Sequence, residues 1–580
     1  MPWPVLSDSP YASAEKGERA VRVSSTVMDV SGPELGEPLE ELLVSCALRL
    51  FPCGLPGLVR LEEPPLVEVV SAQPVVLLDG ERVEILELQT VLLAPREQPP
   101  QLVAGSLRLL AGNPPALFRP LSFVHGHHPS GGPAISFAHM GRALLTDLYE
   151  LNMAASYLRR GMTQPATFSL FVRHLPRGWG FLVACGLSRC LEFLESFRFE
   201  DEDLRYLAET QGYPDETLQA FRDLTFGGEV RAVPEGRLVF PDEPLLEVTA
   251  SMPQAQLVET FLLNQITYQT AVASKAARCR IAAADRDLID FSFRRVHGTE
   301  AALAVARATA IAGFAATSNV EAARTLGLAA AGTMAHSYIE AFESEIEAFR
   351  AFAEDFPNRV VLLVDTYDTA RGVEKAIEVA RELSARGSRL LGLRLDSGDI
   401  GKLAHEARRT LDDAGLQDVR ILVSGSLDEH AIAGLADAPI DSYGVGTRVG
   451  VSADAPYLDS VYKLVEFAGR PVAKLSTAKA TLPGPKQVWR RSEMEGDVIA
   501  LSDEDGPPGA EPLLVPVMAN GKRVVDDGID DARDRLTRDL RALPADLRSL
   551  EPGPYPVERS EALEKLSEEV RTSIRDRELG

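Results

Sequence analysis

Four short polar runs in the second half of the chain each follow an apolar stretch: Asp365-Thr366-Tyr367-Asp368, Arg394-Leu395-Asp396-Ser397-Gly398-Asp399, Ser424-Gly425-Ser426 and Gly444-Val445-Gly446-Thr447-Arg448. Arg394 and Asp396 alternate with Leu393 and Leu395, so on a strand they share one side. Such a pair is either a structural ion pair or a fixed charge couple able to meet anions and hydroxyls. The glycines of Gly444-Val445-Gly446-Thr447 would let backbone N–H groups approach a phosphate, with the threonine hydroxyl as an extra donor. A plain turn uses the same residue types. Arg294-Arg295, inside Phe291-Ser-Phe-Arg-Arg-Val-His-Gly298, sets cations beside aromatics, where a solvated surface patch is the bland reading. His336, in Gly332-Thr333-Met334-Ala335-His336-Ser337, is structural or catalytic, and spacing does not choose. No GxxxxGK[ST] run follows a strand, so a P-loop is excluded.

The elements that must position these residues are legible from periodicity. Apolar runs alternate with amphipathic stretches: 360–364 then 370–385, 390–395 then 400–414, 420–423 then 427–436, and finally 443–445. Strand–helix repeats of this length predict parallel βα units, an α/β barrel or an incomplete one. In that architecture the polar runs fall at the C-terminal strand ends, where βα loops build active sites, and the last βα turn is a common phosphate position. Upstream, Leu148, Leu151, Ala155 and Leu158 recur at steps of three and four, which predicts a helix capped by Thr146 or Asp147, with Tyr149 off its apolar stripe.

Composition bounds the function class. With 60 Lys plus Arg against 85 Asp plus Glu, the net charge is −25. That charge repels nucleic-acid backbones and anionic lipid, so an anionic ligand needs a local basic pocket and nucleic acid is not expected as a partner. The apolar stretches 42–59 and 301–317 are broken by Arg49, Pro52, Pro56 and Arg307, so no membrane span is expected. The first residues lack a basic n-region and apolar core, which predicts a cytoplasmic protein. Cys46, Cys53, Cys185, Cys190 and Cys279 form no CxxC pair and read as buried hydrophobes. His125, His127 and His128 have no partner at metal-ligand spacing and read as linker.

Residues 1–139 differ from the rest, holding 18 of the 39 prolines and a single lysine, Lys16. Asp79-Gly80 between Val76–Leu78 and Val83–Leu86 predicts a tight hairpin. The segment is expected to be an atypical Pro-rich extension, either a β-rich accessory module or sequence ahead of a true start at Met140.

From Met140 onward the chain resembles the nicotinate phosphoribosyltransferases. The resemblance rests on LLTDLYELNMA (144–154), FSLFVRHLP (168–176), FSFRRVHG (291–298), ATSNVEAAR (316–324), GTMAHS (332–337), LLVDTYDT (362–369), GLRLDSGD (392–399), GVGTRVGVSADAPYLDSVYKLVE (444–466) and KATLPGPKQVWR (479–490). It implies a type II phosphoribosyltransferase fold: part of an α/β N-terminal domain at 140–270, a barrel-like catalytic core at 271–480, and a 481–580 region that completes the N-terminal domain. It further implies a homodimer with interface active sites that joins nicotinate to 5-phosphoribosyl 1-diphosphate, with ATP hydrolysis and Mg²⁺, in NAD salvage. A catalytically silent ligand-sensing relative is the competing expectation, disfavoured by the joint presence of His336, Arg394, Asp396 and Thr447.

By the same resemblance, Tyr149 is a nicotinate-contacting residue reaching across the dimer, and Phe291, Arg294, Ser318, Thr333 and Arg394 complete the nicotinate pocket. Arg173, Ser397, Gly425, Gly446 and Thr447 are the expected phosphoribosyl diphosphate contacts. His336 resembles the histidine that ATP phosphorylates, and Asp396 is the expected catalytic carboxylate near the ribose hydroxyls. The metal ligands are left unassigned, Mg²⁺ being expected to bridge the diphosphate. Ser318 replaces the Asp of nicotinamide-using relatives, and a neutral hydroxyl favours the acid over the amide as substrate. Ser426 and Ser292 depart from the family's frequent Asp and Gly.

Overall fold

The computed structural model describes residues 142–476 and 481–580, together with three upstream strands, Val67–Ala72, Glu87–Leu92 and Val103–Arg108. Those three pair antiparallel in sequence order, within a unit spanning Met1–Gly132. The expected Asp79-Gly80 hairpin, the His125–His128 run, Cys46 and Cys53 lie outside the described residues.

The unit from Pro133 to Gly580 holds two sheets that matter for the site. One is a seven-stranded antiparallel sheet whose centre is Pro165–Val172 and Pro244–Ser251, both buried almost end to end. Its neighbours include Ser460–Phe467 and Val515–Ala519, so residues distant in sequence complete it.

The other sheet is parallel: β1 Asp287–Asp290, β2 Ala316–Thr317, β3 Val360–Leu363, β4 Leu390–Leu395, β5 Arg420–Ser424 and β6 Ser442–Val445. The spatial order β2-β1-β6-β5-β4-β3 leaves β2 and β3 as edges, so the expected barrel is an incomplete one. The strands are Leu-, Ile- and Val-rich because helices cover them, as parallel sheets require. The crossover helices Thr369–Ala385, Ile400–Asp413 and Glu429–Gly434 follow β3, β4 and β5.

Helix Glu259–Ala283 joins the two sheets, with Phe261, Leu262 and Ile266 in the core beside the antiparallel sheet and Val272, Ala276 and Cys279 in the core beneath the parallel one. It runs unbroken through position 270, where the sequence suggested a domain boundary.

The helix expected after Thr146 is present as Leu148–Arg159, with a corrected stripe and cap. Leu148 is exposed and Glu150, Leu151, Ala154 and Ala155 point inward, so a carboxylate occupies the apolar face. Asp147 occupies the N-cap position, its carbonyl accepting from Glu150 N, but its side chain accepts from Thr260 rather than capping, and the Thr146 hydroxyl turns to the Glu150 side chain.

Candidate active site

The polar strand ends divide into two groups. Asp368, Asp399 and Asp428 accept from the backbone N–H groups of Arg371, Lys402 and Ala431, three residues on, and so cap the helices they precede. For these aspartates the structural role suffices. The residues just ahead of them do something else.

Arg394, at the end of β4, uses all three faces of its guanidinium. Nε donates to Ser424 Oγ at 2.8 Å, Nη2 to Asp396 Oδ1 at 2.7 Å, and Nη1 to the Met334 carbonyl at 3.2 Å, with Thr333 Oγ1 at 3.5 Å. Ser424, at the end of β5, donates in turn to Asp396 Oδ1. Burial works to raise the Asp396 pKa, but the Ser424 hydrogen bond and the Arg394 charge outweigh it and hold the carboxyl below its usual range. Asp365, just beyond β3, accepts from Asp396 N at 2.9 Å and Ser397 Oγ at 2.6 Å, while its Oδ1 is buried without a partner. His336 stands over this group: Nδ1 lies 3.1 Å from Thr366 Oγ1 and Nε2 4.0 Å from Asp396 Oδ2.

The glycines explain the tight lateral spacing. Gly425 has φ 97°, and a Cβ there would lie 2.1 Å from the Asp396 carbonyl oxygen. A Cβ on Gly444 would meet the Phe291 ring at 2.4 Å, and one on Gly446 would approach the Phe291 carbonyl at 3.1 Å. Phe291 therefore packs closely against the end of β6, with the Arg394 guanidinium carbon 5.4 Å from its ring centroid. Ser292 tightens this seat: its N and Oγ both donate to buried Asp290 Oδ1, at 2.9 and 2.6 Å, and Thr317 Oγ1 donates to Oδ2 at 2.7 Å.

Of the expected residues, the strand ends thus bring together Phe291, Thr333, His336, Arg394, Asp396, Ser397, Gly425 and Gly446. Among the described residues no hydrogen bond or ion pair joins Tyr149, Arg173, Arg294, Ser318 or Thr447 to this cluster. Ser318 is placed by its backbone N–H, which donates to the Asp290 carbonyl at 2.8 Å. Arg294 and Thr447 are exposed, the latter opening the short helix Thr447–Gly450 after β6. Arg173 sits where the antiparallel sheet ends, 3.5 Å from Asp459. Tyr149, half exposed, sits beside Glu150. Asp365, Thr366 and Ser424 are the contributors that the sequence reading left unassigned; the polar strand-end pattern had marked all three without separating them from the caps.

The arrangement offers a flat ring, a fixed arginine for an anionic or hydroxyl-bearing partner, two carboxylates and an accessible imidazole, at the strand ends where βα folds bind substrates. Three family models match the chain: the nicotinate phosphoribosyltransferase N-terminal domain over 144–267, the nicotinate phosphoribosyltransferase family over 287–485, and the nicotinate phosphoribosyltransferase C-terminal domain over 506–567. A nicotinate phosphoribosyltransferase of Mycobacterium tuberculosis is 48% identical over 424 residues, covering 72% of this chain and 90% of that protein. One from Bacillus subtilis is 43% identical over 377 residues, covering 62% and 76%. The crystal structure of human nicotinic acid phosphoribosyltransferase superposes with a TM-score of 0.67 at 30% identity, covering 73% of this chain and 99% of that one. The chain belongs to the nicotinate phosphoribosyltransferase family.

Proposed function

We infer that the protein joins nicotinate to 5-phosphoribosyl 1-diphosphate, releasing diphosphate and nicotinate mononucleotide for NAD synthesis. The observation that carries this reading is the Arg394–Asp396–Ser424 couple set against Phe291, in a chain nearly half identical to a nicotinate phosphoribosyltransferase. The pyridine nitrogen attacks the anomeric carbon as the C–O bond to diphosphate breaks, so positive charge develops on the ribose and negative charge on the leaving group. Catalysis of such a step rests on placement and electrostatics. Phe291 supplies the surface for the ring, Arg394 a charge for the nicotinate carboxylate, and Ser318 a neutral donor that favours the acid over the amide. Asp396, held ionised, faces the ribose hydroxyls and the developing cation. Gly425, Gly446 and Thr447 open their backbone N–H groups to phosphate, and Ser397 adds a hydroxyl.

Among the described residues no group of three or more His, Cys, Asp and Glu is spaced to hold a metal by itself. A Mg²⁺ ion on diphosphate needs only one or two carboxylates. Asp365, with a buried unpartnered Oδ1, and Asp396 fit that need. When bound, the ion supplies charge neutralisation for the leaving group. With Nδ1 of His336 engaged by Thr366, Nε2 is the nitrogen left for phosphorylation by ATP, the route by which hydrolysis would be coupled. Tyr149, Arg173 and Arg294, unbonded to the cluster, suit a site completed by a second copy of the chain. No described helix is long and apolar enough to cross a membrane.

Purified protein given nicotinate, phosphoribosyl diphosphate, Mg²⁺ and ATP should form nicotinate mononucleotide. The His336→Ala variant should lose the stimulation by ATP. Turnover of nicotinamide or quinolinate in place of nicotinate would reassign the substrate.

A further inference from the structure

Helix Leu148–Arg159 begins with a carboxylate on its buried face, beside Leu151, Ala154 and Ala155. Glu150 is fully buried, yet among the described residues no cation forms an ion pair with it. Its two oxygens meet hydroxyls: Oε2 the Thr146 Oγ1, and Oε1 the Thr260 Oγ1 at 2.7 Å, with the Tyr149 phenol as a further neighbour. Each threonine hydroxyl has a second acceptor beside it. Thr146 Oγ1 lies 3.2 Å from the Leu257 carbonyl and Thr260 Oγ1 3.0 Å from Asp147 Oδ2. Four oxygen–oxygen contacts therefore share two hydroxyl protons, and an ionised Glu150 leaves two of the four without a proton between them. A proton on Glu150 supplies a third.

The charges facing this site point the same way. Asp147 and Tyr149 flank Glu150 on its own helix; Glu259 faces it from helix Glu259–Ala283 and Tyr462 from strand Ser460–Phe467. Lys463 is nearby but is taken by Glu259, with Nζ 3.6 Å from Oε1. Ionisation of Glu150 would make a third carboxylate in one small region. Burial, opposed by the Thr146 and Thr260 hydrogen bonds and helped by Glu259, pushes the Glu150 carboxyl up to about 7. Burial, Glu259 and Glu150 together push up the adjacent Tyr149 phenol.

We propose that Glu150 is a positioning residue that works in its protonated form: it bridges Thr146 to Thr260, fixes the start of the helix that presents Tyr149, and keeps a negative charge away from the approaching nicotinate. The proposal rests on Tyr149 contacting nicotinate. Loss of the Glu150 proton as the pH rises through neutrality should both loosen the bridge and repel an anionic substrate, so nicotinate binding weakens while the chemistry at the strand ends is untouched.

The test is the pH dependence of KM for nicotinate, measured with saturating phosphoribosyl diphosphate, Mg²⁺ and ATP between pH 6 and 8. The wild-type protein should show KM rising about three- to tenfold across that range, with kcat changing less. The Glu150→Gln variant keeps a donor without a titrating proton, so its KM should stay near the wild-type acid value and be flat with pH. Thr260→Val removes one donor to the ionised form, so its KM step should move to higher pH; this variant answers the question should Glu150→Gln fail to fold. A Glu150→Gln or Thr260→Val profile identical to wild type overturns the proposal. Tyr149→Ala separates the two layers: a raised KM upholds the contact on which the proposal stands, whereas an unchanged KM removes that contact and the proposal with it.

Discussion

Two regions of the molecule use the same residue types to opposite ends. At the strand ends Arg394 meets Asp396 and Ser424, but Asp396 keeps 29% of its side chain exposed and His336 keeps 38%. Where strand Lys486–Arg490 meets helix Ile529–Ala542, Arg490 lies between Asp497 and Asp539, all three essentially dry, and Arg237 binds the same Asp539. Tyr555 donates to Asp497, and the Leu238 carbonyl accepts from Arg490 Nη2. The dry network is more fully hydrogen-bonded and reads as architecture. The wet one leaves capacity facing solvent: the second oxygen of Asp396, the free edge of His336 and the open backbone at Gly446. An Arg–Asp pair in a sequence is thus uninformative until its remaining valences are located.

Removing one partner from each region sharpens that contrast, and the dry network should give the largest effect. Arg490→Met strands the buried Asp497 carboxylate, while Asp539 keeps Arg237, which should cost about 3–5 kcal/mol of stability, seen as a large drop in the thermal unfolding midpoint. Arg394→Lys keeps a charge but loses the fork that holds Ser424, Asp396 and Met334 together. Its kcat/KM should fall by about 10²–10³-fold while the unfolding midpoint stays close to wild type. Equal stability losses in the two variants would break the comparison. Gly425→Ala lies between the regions in kind, because it forces a Cβ against the Asp396 carbonyl from a left-handed backbone; about 1–3 kcal/mol of destabilisation is expected, with lowered activity.

The smallest effect concerns acid. The Asp396 carboxyl is held below its ordinary 3.8, so its stabilisation is present above that value and is lost as the pH falls through its folded value. Glu150 has the opposite sign: the folded chain keeps its proton up to about 7 and the unfolded chain only to about 4.5, so stability should decline as pH rises across that window. Thermal unfolding of Asp396→Asn and Glu150→Gln against wild type should therefore converge on wild type in acid and depart from it with opposite signs as the pH rises. Asp396→Asn should approach wild type in acid, and Glu150→Gln should flatten the decline toward neutrality.

Much of this was legible in the sequence because parallel βα units announce themselves. Strands 360–363, 390–395, 420–424 and 442–445 fall within a residue or two of the expected runs, since each is a short apolar block bounded by glycine or polar residues. Arg394 and Asp396 stood out for the same reason, whereas His336 was marked only by the resemblance of GTMAHS to the family. The helix at 148 was found, but its stripe was misread, because a buried carboxylate satisfied by two hydroxyls has no signature in a hydrophobic period. Thr260, one of those hydroxyls, lies 110 residues away.

The sequence alone therefore determined the class of fold, the local elements and the family, all of which follow from spacing and residue type within short windows. The tertiary structure decided which aspartates cap helices and which join the strand-end cluster, that the barrel stays open between β2 and β3, and that Ser292 locks Phe291 through Asp290. Those outcomes depend on which oxygen meets which proton across long sequence separations, and on how much water remains between them. Burial and hydrogen-bond geometry set these, and neither is a property of the chain until it has folded.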